Sequence, residues 1–107
     1  MLSESDRAII ERFKSLMAEH GVPVVETVAF GSRARGDAEP DSDLDVLVIV
    51  DYCNWGMEMT LSDCAWEAGF DSGVLVQAVI MTRDEVEKSP QRSSLFIMAV
   101  RRDGVKV

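Results

Sequence analysis

The stretch Val28–Val50, VAFGSRARGDAEPDSDLDVLVIV, decides how this chain is read. It starts apolar and breaks at Gly31-Ser32. It then passes two arginines and five acidic residues, and ends in a branched apolar run entered through Asp43 and Asp45. A segment apolar at nearly every position is what a strand covered on both faces requires. Side chains alternate along a strand, so two acids two positions apart leave it on the same face. Their β-carbons would lie roughly 6–7 Å apart, from about 3.3 Å of rise per residue. Unpaired, two carboxylates at the margin of an apolar sheet repel each other and are costly to desolvate. A hard divalent cation removes that cost, and Mg²⁺ is commonly held by one or two carboxylates together with substrate phosphates. Asp43 and Asp45 are therefore the candidate metal ligands and catalytic residues.

The upstream half of the stretch offers the opposite chemistry. Glycine at position 31 lets a backbone N–H approach an anion closely. Ser32 adds a hydroxyl donor, and a helical turn starting there would aim its N–H groups the same way. Arg33 and Arg35 bring positive charge, and Ser42 stands at the far end of the polar connection, beside Asp43. A nucleoside triphosphate with magnesium fits both halves at once, with Gly31, Ser32, Arg33, Arg35 and Ser42 as the nucleotide-binding set. A blander reading stands beside it. Asp43 would be a solvated turn acid or cap, and the arginines would form loop ion pairs with Asp37, Glu39 or Asp41, each worth little.

Composition narrows the field. At 107 residues one domain is expected, and a 47 % hydrophobic content suffices for a single core. Eleven basic against 19 acidic residues leave a formal charge of −8. No basic stripe runs along the chain, which argues against direct nucleic-acid binding by this domain alone. Cys53 and Cys64 stand in no metal-ligand or redox spacing and read as buried or half-buried thiols of a reducing cytosol. No basic segment leads an apolar one at the N-terminus, and no apolar run approaches about 18 residues. A cytoplasmic protein is the expectation.

Outward from the stretch, Ser3–His20 reads as a helix capped by Ser3 with Asp6, or by Ser5. Ile9, Phe13, Leu16, Met17 and His20 share one of its faces, and Gly21 and Pro23 end it. The single histidine, His20, is favourably placed near a helix C-terminus. Val24–Phe30, Leu44–Val50 and Val74–Met81 read as strands, with a polar connection over Gly31–Ser42. Trp55–Gly69 reads as a helix. Ser89-Pro90 resembles an N-cap with proline at the first helical position. From there a helix runs through Leu95, Phe96, Met98 and Ala99 to Arg102, until Gly104 stops it. Val105–Val107 is a possible edge strand. The alternation predicts an α+β (α/β) sandwich with a small mixed sheet packed with helices.

The helix Trp55–Gly69 has two apolar sides. Met57, Leu61, Cys64, Ala65 and Ala68 fall within about 100° of one another and suit a sheet. Trp55, Met59 and Trp66 lie nearly opposite. Either the first or last helix packs over them, or they form a docking patch for a partner or for self-association.

GSRARG followed by SDLDVLV resembles the signature of the DNA-polymerase-β-like nucleotidyltransferase superfamily, and the short chain is similar to its minimal nucleotidyltransferases. The resemblance implies that Gly31 and Ser32 hold the β and γ phosphates of ATP, that Asp43 and Asp45 bind one or two Mg²⁺ ions, and that Arg35 buttresses the loop or touches phosphate. It implies in-line attack on the α-phosphate with pyrophosphate leaving. It also implies a small all-helical HEPN protein as partner, to which such antitoxins can transfer AMP. Members of the superfamily usually add a third carboxylate from a later strand. Here that strand, VLVQAVIM, holds no acid, and Gln77 is its only polar residue. Slow turnover, an oxygen supplied by the substrate, or a nucleotide-binding antitoxin acting by contact alone are the three outcomes.

Overall fold

The structure, a computed structural model, describes residues 2–88 and 91–107, with residues 91–94 described by backbone only. The proposed cap at Ser89-Pro90 lies outside the described residues.

Helix α1 spans Glu4–Glu19 and starts where Ser3 Oγ accepts the Asp6 N–H at 3.0 Å. Strand β1, Val24–Phe30, leads directly into a short helix α2, Gly31–Arg35. Strand β2 is Leu44–Val50 and helix α3 is Trp55–Phe70, capped by the Asn54 side chain on the Met57 N–H. Strand β3, Val76–Thr82, is followed by α4, Arg83–Lys88, by α5, Gln91–Asp103, and by a two-residue strand β4, Val105–Lys106.

The sheet order is β3-β2-β1-β4. Strand β1 runs antiparallel to β2 and β4, and β2 runs parallel to β3. A parallel neighbour needs a crossover, and α3 supplies it. The mixed sheet expected from the sequence is present. Two short helices depart from expectation. α2 occupies the start of what reads as a polar connection, and α4 occupies residues to which the sequence reading assigns no element. β3 begins two residues later than the apolar run, because Val74 and Leu75 belong to the turn out of α3.

Both faces of β2 are covered. Leu44, Val46, Val48 and Val50 pack with Ile9, Ile10, Phe13 and Met17 of α1 and with Leu61, Cys64, Ala65 and Ala68 of α3. Leu47 and Ile49 face the other way, onto Val28, Met81 and the α5 residues Ile97 and Val100. The buried stripe of α3 is the one its periodicity predicts. On α1, Ile10 joins the core, while His20 is exposed at the C-cap and leaves the expected apolar face. Cys64 lies in the core, where burial pushes its thiol pKa up, so it behaves as a small apolar residue. No helix among the described residues is long and apolar enough to cross a membrane.

Candidate active site

Asp45 is the second residue of β2, and Asp43 stands one residue before the strand. Both are half-buried. Alternation aims Asp45 to the same side as Leu47 and Ile49, the face that packs against α5. It is not the face that carries α1 and α3.

The register of β1 and β2 brings the glycine corner to this carboxylate. Phe30 pairs with Asp45, and Gly31 follows at once with φ +78°. A β-carbon built on Gly31 would collide with Asp45 Oδ2. The position thus needs glycine twice, for the left-handed backbone and for the space. Gly31→Ala is expected to lower Tm by about 5–10 °C, from roughly 1–2 kcal/mol of left-handed strain. It should also weaken Mg²⁺-dependent nucleotide uptake about tenfold or more, because the displaced carboxylate loses its approach to the corner. Thermal unfolding and calorimetry check the two effects separately.

The local electrostatics suit a cation. Burial pushes the Asp45 carboxyl above its ordinary range, and the charge of Asp43 pushes the same way; the Arg35 guanidinium pulls it partly back. Arg35 itself is exposed, its Nε 3.4 Å from Asp37 Oδ2, one weak pair that leaves most of the guanidinium facing water.

Arg33 takes a different acid from those its sequence neighbourhood offers. Its Nη1 donates to Asp6 Oδ1 at 2.9 Å, its Nε to the Ser42 carbonyl at 2.7 Å, and its Nη2 to the Pro40 carbonyl at 3.1 Å. The Asp6 residue is 4 % exposed and the Arg33 side chain 13 %. Asp37, Glu39 and Asp41 are not the partners it takes, and its fork is turned onto Asp6 and two carbonyls. Ser42 is likewise part of the scaffold. Its Oγ accepts the Glu39 N–H at 2.9 Å, while its carbonyl accepts from Arg33. Arg33 therefore ties the first turn of α1 to the residue just ahead of Asp43. Asp6 was legible as a helix-cap acid. Its pairing across 27 positions has no local signal in the sequence.

Strand β3 places Gln77, not a third carboxylate, opposite Asp45. Parallel pairing sets Asp45 beside Gln77 in the β2–β3 register, so the two side chains share a face. Asp84 and Glu85 follow Thr82, at the opposite end of the sheet, where Thr82 Oγ1 accepts the Glu85 N–H and the Glu85 carboxylate accepts from Thr82 in return. Asp71 stands at the C-cap of α3. Among the described residues no group of three or more His, Cys, Asp or Glu side chains converges as a metal site. The donor set is two hard carboxylates, one of them beside Gly31. That set suits one Mg²⁺ whose remaining ligands are phosphate and water oxygens.

The exposed aromatic residues of α3 lie elsewhere. Trp55, Met59, Trp66 and Phe70 are all exposed on its outer side. Neither α1 nor α5 covers Trp55, Met59 or Trp66. A groove of about 460 Å³ lined by Arg12, Asp63, Trp66, Glu67, Phe70 and Asp71 runs beside Trp66.

Comparison with known proteins follows the same outline. A family model described as "Nucleotidyltransferase domain" matches residues 7–100. No curated protein sequence matches significantly. A solved structure of a candidate minimal nucleotidyltransferase is 29 % identical, with TM-score 0.68, covering 100 % of this chain and 97 % of that one. A toxin–antitoxin crystal structure with AMP-PNP is 18 % identical, with TM-score 0.63, covering 94 % of this chain and 70 % of that one. A candidate nucleotidyltransferase from Sulfolobus solfataricus is 23 % identical, with TM-score 0.52, covering 97 % of this chain and 86 % of that one. The last two carry likeness of fold.

Proposed function

Because this chain belongs to the nucleotidyltransferase domain family, we propose that it transfers AMP from ATP to a protein partner, as the antitoxin of a toxin–antitoxin pair. The observation that carries the reading is the contact of Asp45 with Gly31. It joins a cation ligand and an anion-binding backbone at one point, which is what a metal–triphosphate requires.

Asp43 and Asp45 would hold Mg²⁺, and Gly31 and Ser32 would hold the β and γ phosphates. Bound there, the ion supplies neutralisation of the charge that builds on the phosphate oxygens. Arg35 adds positive charge from the open side of the corner. Arg33 keeps the loop and Asp43 in place. In the reaction an acceptor oxygen forms a bond to the α-phosphorus, the bond to the α–β bridging oxygen breaks, and pyrophosphate leaves. Gln77, beside Asp45, cannot accept the acceptor's proton, so proton removal falls to another group and turnover is expected to be slow.

The acceptor is proposed to be a helical HEPN-type protein. The exposed stripe of Trp55, Met59, Trp66 and Phe70 is the proposed docking surface. Asp63, Glu67 and Asp71 flank it, and the chain carries −8 overall. Both features favour a basic partner over a second acidic copy. Two ATP samples labelled at the α or the γ position, incubated with Mg²⁺ and the product of the adjoining reading frame, test the reading. Label on the partner from the α position only, lost with Asp43→Asn in a folded protein, is the expected result. Neutralisation that survives Asp43→Asn without any labelling would favour a module acting by contact alone, a reading that Gln77 in the third-acid register supports.

A further inference from the structure

Two edge-to-face aromatic pairs reach the surface among the described residues. Trp66 and Phe70, with ring centroids 5.1 Å apart, stand on α3. Phe30 and Phe96, with centroids 5.8 Å apart, join the end of β1 to α5. They lie on opposite sides of the sheet, and only the second pair shares a side with the acids. Phe30 packs against the buried cluster that holds Leu47, Ile49, Ile97 and Val100. It is also the cross-strand partner of Asp45, so the two side chains leave the sheet together.

Phe96 continues this wall outward. Its helix neighbours Ile97 and Val100 are buried, whereas Phe96 is 37 % exposed. Phe96 therefore stands on the Asp45 side of the sheet, one ring contact beyond the cross-strand partner of that acid. A nucleotide anchored by its phosphates at Gly31 needs a surface for its base on this side. A half-presented flat apolar ring on the same side is what a base needs to stack on, and every base offers a π-face.

We infer that Phe96, backed by Phe30, is the stacking wall for the base of the bound nucleotide, with a purine favoured by its larger face. The inference rests on the nucleotidyl-transfer reading above, and names the subsite that reading leaves open. Phe30 holds the wall; Phe96 meets the ligand.

The test separates base from phosphate. The full chain is titrated with a non-hydrolysable ATP analogue and with inorganic tripolyphosphate, each with Mg²⁺. In Phe96→Ala the analogue should bind about 5- to 100-fold more weakly, as expected for one lost stacking contact, while tripolyphosphate binds as before. Phe96→Leu keeps an apolar side chain against Phe30 but lacks the flat face, and should weaken the analogue in the same way. Phe96→Trp should retain or improve its binding. Equal weakening of both ligands would make Phe96 a merely structural residue, and unchanged analogue affinity would remove it from the site. Either result overturns the inference and spares the parent reading. Failure of the wild-type protein to bind tripolyphosphate with Mg²⁺ would overturn both.

Discussion

Asp45→Asn is expected to cut nucleotidyl transfer at least about 10³-fold while the fold persists, a loss of roughly 4 kcal/mol of transition-state stabilisation. Asparagine keeps the shape that fits beside Gly31 but removes the charge that would hold a cation. The same substitution should act oppositely on the metal-free protein. Burial and the neighbouring Asp43 raise the Asp45 carboxyl above its ordinary pKa. Its folded-state pKa therefore exceeds its unfolded-state value. Such a group favours folding when protonated, and that contribution fades as pH rises through the raised value. At neutral pH the ionised carboxylate is a cost, so Asp45→Asn should raise the apo-protein Tm. Below the ordinary carboxylate pKa, where Asp45 is protonated folded and unfolded, the gain should vanish. Mg²⁺ uptake by the wild type should fall as pH drops through the same raised range, because a protonated carboxyl binds no cation. Thermal scans at neutral and acidic pH, with and without Mg²⁺, read both arms. A lower apo Tm at neutral pH would contradict the electrostatic account.

Asp6→Ala is expected to cost about 2–4 kcal/mol of stability, below the top of the range for breaking a buried pair because Arg33 keeps two carbonyl acceptors. For a domain of this size that is about 10–25 °C in Tm. The mechanism is specific. Removal of the carboxylate strands a guanidinium whose side chain is 13 % exposed. Asp6→Asn keeps an oxygen acceptor for Arg33 and should cost much less. If the two variants melted together, the loss would come from the helix start, where the Ser3 cap also lies, and not from the pair. Activity should fall with Asp6→Ala even well below its Tm, since the Ser42 carbonyl held by Arg33 directly precedes Asp43.

Much of the candidate site was readable because its chemistry is local. Gly31-Ser32 and Asp43-x-Asp45 are short patterns whose residue types speak for phosphate and cation. The apolar run Val46–Val50 needs no partner to be recognised as a covered strand. The two apolar sides of α3 followed from helical period; that the outer one stays uncovered did not, because it depends on where α1 and α5 pack. What stayed hidden depends on register and on long loops. Arg33 has acids at 37, 39 and 41 within easy reach, yet pairs with Asp6, because α1 lies across the corner and excludes water there. The start of α2 was hidden by a sequence that reads equally as a turn. Gln77 could be named as the polar residue of β3, but only strand pairing sets it beside Asp45. Phe96 carried no signal beyond an apolar helix face. Its neighbourhood appears once β1 and α5 meet at Phe30.

The inward turn of Arg33 has a consequence for recognising functional relatives. A shortened homologue that began after the first helix would still display every residue of the glycine-serine and paired-aspartate signature. It would nonetheless lack the anchor at position 6 and leave the guanidinium to swing into solvent. Genome surveys that score the signature alone would count such a sequence as competent. A survey that also asked for an acid in the opening turn would discard it.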